Sequence, residues 1–259
     1  MNKKGKIKDD MFEDNVDLDV LPVKDMRGNT KLKKKIHKNL PQIPSCGLIA
    51  SPVCSGKTTL LSNLFLNDAF YKDVFDYVYI LSPTIYNDNT AQHLLDEFED
   101  TVFDGYKDEY LDTIIDTQLS YGNKKDMPLI AIVIDDCVGD IKKGSKINFL
   151  ITRYRHYNIG MIILSSQLFR AFTNTIRTNC NFVILPYQPN EKEQEKYAEE
   201  YSSFGGITNF KKIYEEATSD PTNPYSFLYL DIKRMKAYKT FKTLLWEKRG
   251  AVKSGGEHK

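Results

Sequence analysis

The stretch LIASPVCSGKTTL, Leu48 to Leu60, decides how this sequence folds. An apolar run ends at Ala50 and a short turn follows. The next segment then carries Leu60, Leu61, Leu64 and Phe65 at helical spacing. Strand, tight loop and helix in succession are the setting that a phosphate-binding loop requires. The loop N–H groups and the helix N-terminus form an anion site there before any side chain acts. On this reading Ser51, Pro52, Val53, Cys54, Ser55, Gly56, Lys57, Thr58 and Thr59 hold a nucleotide. Gly56 lets the backbone approach the phosphates, Lys57 sets a point charge on the β- and γ-phosphates, and Thr58 offers its hydroxyl to Mg²⁺. Ser51 departs from the pattern G-x-x-x-x-G-K-[ST], in which a glycine opens the loop. Pro52 biases Ser51 toward an extended backbone that serine adopts at negative φ, so the loop is expected to close without the glycine.

On either side of this loop, apolar runs alternate with helical patterns. CGLIA is a strand and GKTTLLSNLFLND a helix; DYVYILSP is a second strand, stopped by Pro83. TAQHLLDEFED and KDEYLDTIIDTQL are amphipathic helices, and MPLIAIVIDD is a strand rich in β-branched residues. SKINFLITRYRHY is a helix, IGMIILSSQ a strand, FRAFTNTIRTN a helix and NFVILP a strand. Two further helices, EKEQEKYAEEY and ITNFKKIYEEA, precede YSFLYLDIK and AYKTFKTLLW, which form a terminal hairpin. The expected fold is α/β, with a mainly parallel sheet flanked by helices, a C-terminal β-hairpin and ligands at the carboxyl ends of the strands. The expected organisation is a polar, lysine-rich arm over residues 1–42, one domain over 43–247 and a tail over 248–259.

Two later strand ends carry chemistry. LIAIVIDD sets Asp135 and Asp136 at the end of a buried strand, Asp135 toward the metal and Asp136 as the base for the attacking water. MIILSSQ ends in Ser165, Ser166 and Gln167, and an amide there can bond both the γ-phosphate and that water. Arg153, Arg155, Arg170 and Arg177 flank this strand. One of them, Arg155 first, is a candidate to supply transition-state charge to a neighbouring subunit. Lys142, Lys143 and Lys146 follow the acidic pair directly and could grip a phosphate backbone without reading sequence. DIKRMKAYK, with Lys233, Arg234, Lys236 and Lys239, is a second basic segment.

Bulk properties set outer limits. The 259 residues are 41% hydrophobic and 27% charged with a formal net charge of +1, the profile of a globular chain with a sizeable core. The four cysteines (Cys46, Cys54, Cys137, Cys180) show no C-x-x-C pair, which argues against a disulfide frame or zinc site and fits a reducing compartment. The first residues lack a signal-peptide core, and no stretch approaches a membrane span.

In order, SGKTT, YILSPTIYNDNTAQHL, LIAIVIDD, RYRHYNIGMIILSSQ and YSFLYLDIK resemble the DNA-packaging ATPases of large DNA viruses, the poxvirus-type branch of the FtsK–HerA P-loop superfamily. The resemblance runs from about Ile43 to Leu245. It implies a RecA/FtsK-like P-loop NTPase that uses ATP and Mg²⁺. Lys57 and Thr58 match its Walker A residues, Asp135 and Asp136 its Walker B pair, Gln167 its polar sensor and Arg155 an arginine of its RH segment. It further implies a homo-oligomeric ring that drives double-stranded DNA into a preformed viral capsid. The implied location is the host-cell cytoplasm, a virus factory or the virion, and not the secreted space.

Two readings compete. A nucleoside or nucleotide kinase also starts from a phosphate loop, but it closes an arginine-bearing lid over an acceptor and does not need the strand-end amide. A nucleotide-binding scaffold would bind ATP without turnover, its loop decayed at Ser51. The acidic pair and the Ser165-Ser166-Gln167 strand end weigh against the kinase, and the presence of Lys57, Thr58, Asp135 and Asp136 together argues against decay.

Overall fold

The computed structural model of the chain describes residues 32–248. Most of the expected arm and all of the expected tail beyond Lys248 lie outside the described residues. Nine strands among the described residues form one sheet. In chain order they are β1 (Ser45–Ala50), β2 (Tyr77–Leu81), β3 (Val102–Phe103), β4 (Ile130–Asp135), β5 (Ile159–Ser166), β6 (Phe182–Pro186), β7 (Phe227–Asp231), β8 (Lys236–Lys239) and β9 (Thr243–Glu247). Their spatial order is β3-β2-β4-β5-β1-β6-β7-β8-β9. The first six run parallel, and β7, β8 and β9 continue the sheet as an antiparallel meander.

The central strands are apolar without interruption because both of their faces are covered. Cys46, Leu48, Ile132, Ile134, Ile162 and Leu164 point into one core, whereas Ile49, Ala131, Val133, Met161 and Ile163 point into the other. Helix α1 (Lys57–Leu66) and α2 (Gln92–Phe98) bury Leu61, Leu64, Phe65 and Leu94 in the second core. Helices α3 (Asp108–Ser120), α4 (Lys146–Arg153), α5 (Asn174–Asn179), α6 (Glu191–Glu200) and α7 (Ile207–Thr218) cover the first.

Several segments differ from the sequence reading, among them the unexpected β3 and the end of SKINFLITRYRHY, where α4 stops at Arg153 and a 3₁₀ turn covers Tyr154–Tyr157. FRAFTNTIRTN is not one helix: a single 3₁₀ turn over Phe169–Ala171 precedes α5. The break falls at Thr173, whose backbone is extended and whose hydroxyl accepts the Ile176 N–H, so a new helix is capped there. AYKTFKTLLW supplies two strands, because Thr240 takes a left-handed conformation (φ 53°) and turns the chain between β8 and β9. Residues 32–42, expected as part of the arm, lie against the body. Ile36 and Leu40 are buried, the Tyr71 hydroxyl donates to the Pro41 carbonyl at 2.7 Å, and Lys33 pairs with Asp76. The first lysines after residue 31 are thus spent on docking this segment.

Candidate nucleotide site

The carboxyl ends of β1, β4 and β5 lie side by side. Ala50 is in register with Ser166, and Asp135 with Ser165. As β1 ends, the Ser51 N–H donates to the Ser166 carbonyl at 2.9 Å, so Ser51 still belongs to the sheet. Its φ is not positive, which is why a serine is accommodated. The left-handed positions of the loop are Cys54 (φ 61°) and Gly56 (φ 83°). Ser51 is fully buried, its hydroxyl meets that of Ser55, and Ser55 Oγ donates to the Pro52 carbonyl at 2.7 Å. Two hydroxyls therefore brace the turn. Gly56 is the N-cap of α1, which leaves the first N–H groups of that helix without a side-chain acceptor at the cap. Val53, Cys54 and Thr59 are exposed along the rim, and Pro52 is partly so.

Lys57 Nζ reaches across to the acidic pair. It lies 3.3 Å from Asp135 Oδ1 and forms a closer ion pair with Asp136 Oδ2. Asp135 is 8% exposed; it accepts the Ser165 hydroxyl and, at 3.5 Å, that of Ser82 at the end of β2. Asp136 is left-handed (φ 53°), with its N–H on the Ser165 carbonyl at 3.2 Å. That turn brings its carboxylate to the same lysine as its neighbour, where an extended residue would point to the opposite face. Cys137 is buried behind the pair. Burial first, and the adjacent Asp135 charge second, push its thiol up to about 12.

Asp88 is a member of the site that the sequence reading did not single out. The Thr58 hydroxyl donates to Asp88 Oδ2 at 2.9 Å, while Asp88 Oδ1 accepts both the Thr90 hydroxyl (2.6 Å) and the Thr90 N–H (2.8 Å). Those bonds, the Thr90 hydroxyl foremost, hold its carboxyl below the usual range, with further help from Thr58 and the Lys57 charge. The local signal was the D-x-T turn in NDNT. Its partner Thr58 lies 30 residues earlier, where no spacing rule reaches.

The remaining candidates divide. Gln167 is exposed immediately beyond β5, at the site end of the sheet. Arg170 is at the same end and pairs with the buried Glu193 at 3.2 Å. Arg177 is committed to Glu200, the Phe172 carbonyl and Asn174. Arg153 and Arg155 are exposed before β5 begins. The eight residues of that strand set them roughly 25 Å from this chain's own loop. Lys142 and Lys143 are exposed in the loop after β4, but Lys146 pairs with Asp112 and joins α4 to α3. In the second basic segment Lys233 is exposed, whereas the other three cations are engaged within the chain. Lys236 pairs with Glu247, Lys239 with Asp220, and Arg234 with Asp231 and the Lys38 carbonyl.

Solved structures with a similar fold include the genome packaging NTPase B204 of Sulfolobus turreted icosahedral virus 2 in complex with AMP. It has a TM-score of 0.54 at 17% identity, over 76% of this chain and 96% of that one. The same protein with ATP-gammaS gives 0.52 at 16% identity, over 76% and 96%. B204 of Sulfolobus turreted icosahedral virus, described as a DNA-packaging ATPase, gives 0.55 at 15% identity, over 77% and 99%. At such identities the likeness is one of fold. No curated protein sequence matches the chain. Residues 44–195, more than half of the chain and the part that holds the loop, the acidic pair and β5, match the model of the poxvirus A32 protein family, and the chain belongs to that family.

Proposed function

We propose that this protein is an ATP-hydrolysing motor that drives double-stranded DNA into a preformed viral capsid. The observation that carries the proposal is the meeting of Lys57 with Asp135 and Asp136 at three adjacent strand ends, in a chain of the A32 family. Gly56 and the first turn of α1 receive the phosphates, and Lys57 moves its charge from the carboxylates to the β- and γ-phosphate oxygens. That move leaves Asp136 free to accept a proton from the attacking water, which Gln167 orients from β5.

The Thr58 hydroxyl and the carboxylates of Asp135 and Asp88 make an all-oxygen set, the kind that suits magnesium beside phosphates. Thr58 and Asp135 would hold the ion, and Asp88 would orient the Thr58 hydroxyl. When bound, the ion supplies positive charge against the β- and γ-phosphate oxygens. Arg153 and Arg155 are too far to serve their own loop, so they are assigned to a neighbouring subunit of a homo-oligomeric ring. Lys142 and Lys143 sit a few residues after Asp136 and grip DNA phosphates as the acidic pair changes partners.

The test is steady-state ATP hydrolysis with and without linear double-stranded DNA, with Lys57→Ala as control. Stimulation by DNA that disappears in the variant is the expected result. Turnover indifferent to DNA would favour a kinase, and nucleotide binding without turnover would favour a scaffold. No described helix is long and apolar enough to cross a membrane.

A further inference from the structure

Glu193 stands in the first turn of α6, and only 1% of it is exposed. A glutamate three residues after the helix cap ordinarily turns back to bond the N–H of that cap. Here the cap, Asn190, is served by others. Its side chain accepts the Lys192 N–H at 3.0 Å, and its own N–H goes to Gln188 Oε1 at 3.1 Å. Glu193 instead reaches out of its helix to the turn that follows β5. Its Oε2 accepts the Phe169 N–H at 2.9 Å and the Arg170 N–H at 3.5 Å, and its Oε1 lies 3.2 Å from Arg170 Nε. Burying a carboxylate is unfavourable unless it is paired and hydrogen-bonded, and the partners that make it tolerable here all belong to that turn.

The same turn carries Gln167. Ser166, the residue before it, is fixed in the sheet: it is in register with Ala50, and its carbonyl takes the Ser51 N–H at 2.9 Å. Phe169, two residues after it, is fixed twice. Glu193 holds its backbone, and Tyr197 of α6 and Tyr201 just beyond hold its ring edge-on, with centroids 5.4 and 5.7 Å away. Gln167 and Leu168 therefore span a gap between two anchored ends. The Gln167 side chain is exposed, so its direction of approach is set by the backbone that Glu193 secures.

We infer that Glu193 is a positioning residue for hydrolysis: by holding the Phe169 N–H and Arg170 it fixes the turn that presents Gln167 to the attacking water. The inference rests on the role proposed above for Gln167. A positioned group displaced by about 1 Å, though still present, costs up to about a hundredfold in rate. None of the Glu193 contacts is to the phosphate loop, so the loss falls on turnover and not on nucleotide binding.

The test is a double-mutant cycle on the full chain: Glu193→Ala, Gln167→Ala and the two together, with Glu193→Gln as the conservative variant. Each is measured for kcat in ATP hydrolysis and for the Kd of a fluorescent ADP analogue. Glu193→Ala should lower kcat by about ten- to a hundredfold. Its Kd should change by less than about threefold, because the group it misplaces acts in the transition state. Once Gln167 is gone there is nothing left to position, so adding Glu193→Ala to Gln167→Ala should cost less than about twofold more. Glu193→Gln keeps an oxygen for the Phe169 N–H and should hold kcat within about fivefold of the wild type. A residue that only stabilises the fold does not produce this non-additivity. Additive losses in the cycle, an unchanged kcat in Glu193→Ala, or a kcat loss matched by an equal loss of affinity would each overturn the inference. If Gln167→Ala hydrolyses ATP as fast as the wild type, the role of Gln167 falls and this inference with it, while the Lys57→Ala control still decides the nucleotide site. Should Glu193→Ala not fold, Glu193→Asp takes its place in the cycle, keeping the charge but one methylene too short to hold both partners.

Discussion

The Thr58 hydroxyl donates to Asp88 Oδ2 at 2.9 Å, tying the first turn of α1 to the segment that follows β2. With its proton committed to Asp88, the Thr58 oxygen keeps its lone pairs for a cation. Asp88→Asn separates this bond from the local turn. The asparagine carbonyl can still accept from Thr90, but its NH₂ cannot accept from Thr58. Nucleotide affinity measured in EDTA should be nearly unchanged, and the gain on adding Mg²⁺ should shrink by about tenfold, as expected for loss of a group that orients a metal ligand. Equal losses with and without Mg²⁺ would make Asp88 a purely structural residue.

Ser51 replaces the glycine of the usual loop without occupying a glycine conformation, because the positive φ values fall at Cys54 and Gly56. Ser51→Gly should therefore not improve the loop. It removes the hydroxyl that meets Ser55 and loosens a buried turn, at a cost of about 1 kcal/mol. That should lower Tm by about 2–4 °C, with kcat changed by less than about twofold. A higher Tm or faster turnover in the glycine variant would show that Ser51 strains the loop.

How far the sequence could be read followed from the range of each interaction. The phosphate loop and the acidic pair were legible because strand, turn and helix are contiguous at Leu48–Leu60, and because LIAIVIDD is apolar on both faces. Two-residue β3 was not, since two residues carry no periodicity. The break at Thr173 left a signal, a capping threonine ahead of TIRTN, which the apolar spacing of Phe169, Phe172 and Ile176 outweighed. Asp88 and the Lys146–Asp112 pair depend on partners 30 or more residues away, and only the folded chain brings these together. The lysines of KLKKKIHK illustrate the same point. Their charge suggests a polar arm, and for residues 32–42 the packing of Ile36 and Leu40 decides otherwise.

Cys54 is exposed within the loop, whereas Cys46, Cys137 and Cys180 are buried. Burial raises the thiols of Cys137 and Cys180, so in the native protein both stay protonated through pH 8 and resist alkylation. Iodoacetamide at pH 8 should then label Cys54 alone. Saturating nucleotide, at a hundred times its Kd, should slow that labelling by roughly a hundredfold, in proportion to the unliganded fraction. Peptide mapping by mass spectrometry reads both effects without relying on turnover. Labelling indifferent to ATP would place the phosphates elsewhere.

Lys142 and Lys143 are the exposed cations nearest in sequence to the acidic pair, and neither shares the Lys146 bond to Asp112. If they hold DNA phosphates, the double variant Lys142→Ala/Lys143→Ala should keep basal ATP hydrolysis and lose its stimulation by DNA. Each phosphate contact contributes about 0.9 to the slope of log affinity against log salt, so the slope should shallow by about 1.8. Lys146→Ala gives the opposite pattern. Its salt slope stays at the wild-type value, and stability falls by no more than about 1 kcal/mol, because the ion pair it breaks is partly exposed. Sequence-independent DNA binding measured from low to moderate salt distinguishes the two. An unchanged slope in the double variant would move the DNA grip to another surface and leave the hydrolytic site as described.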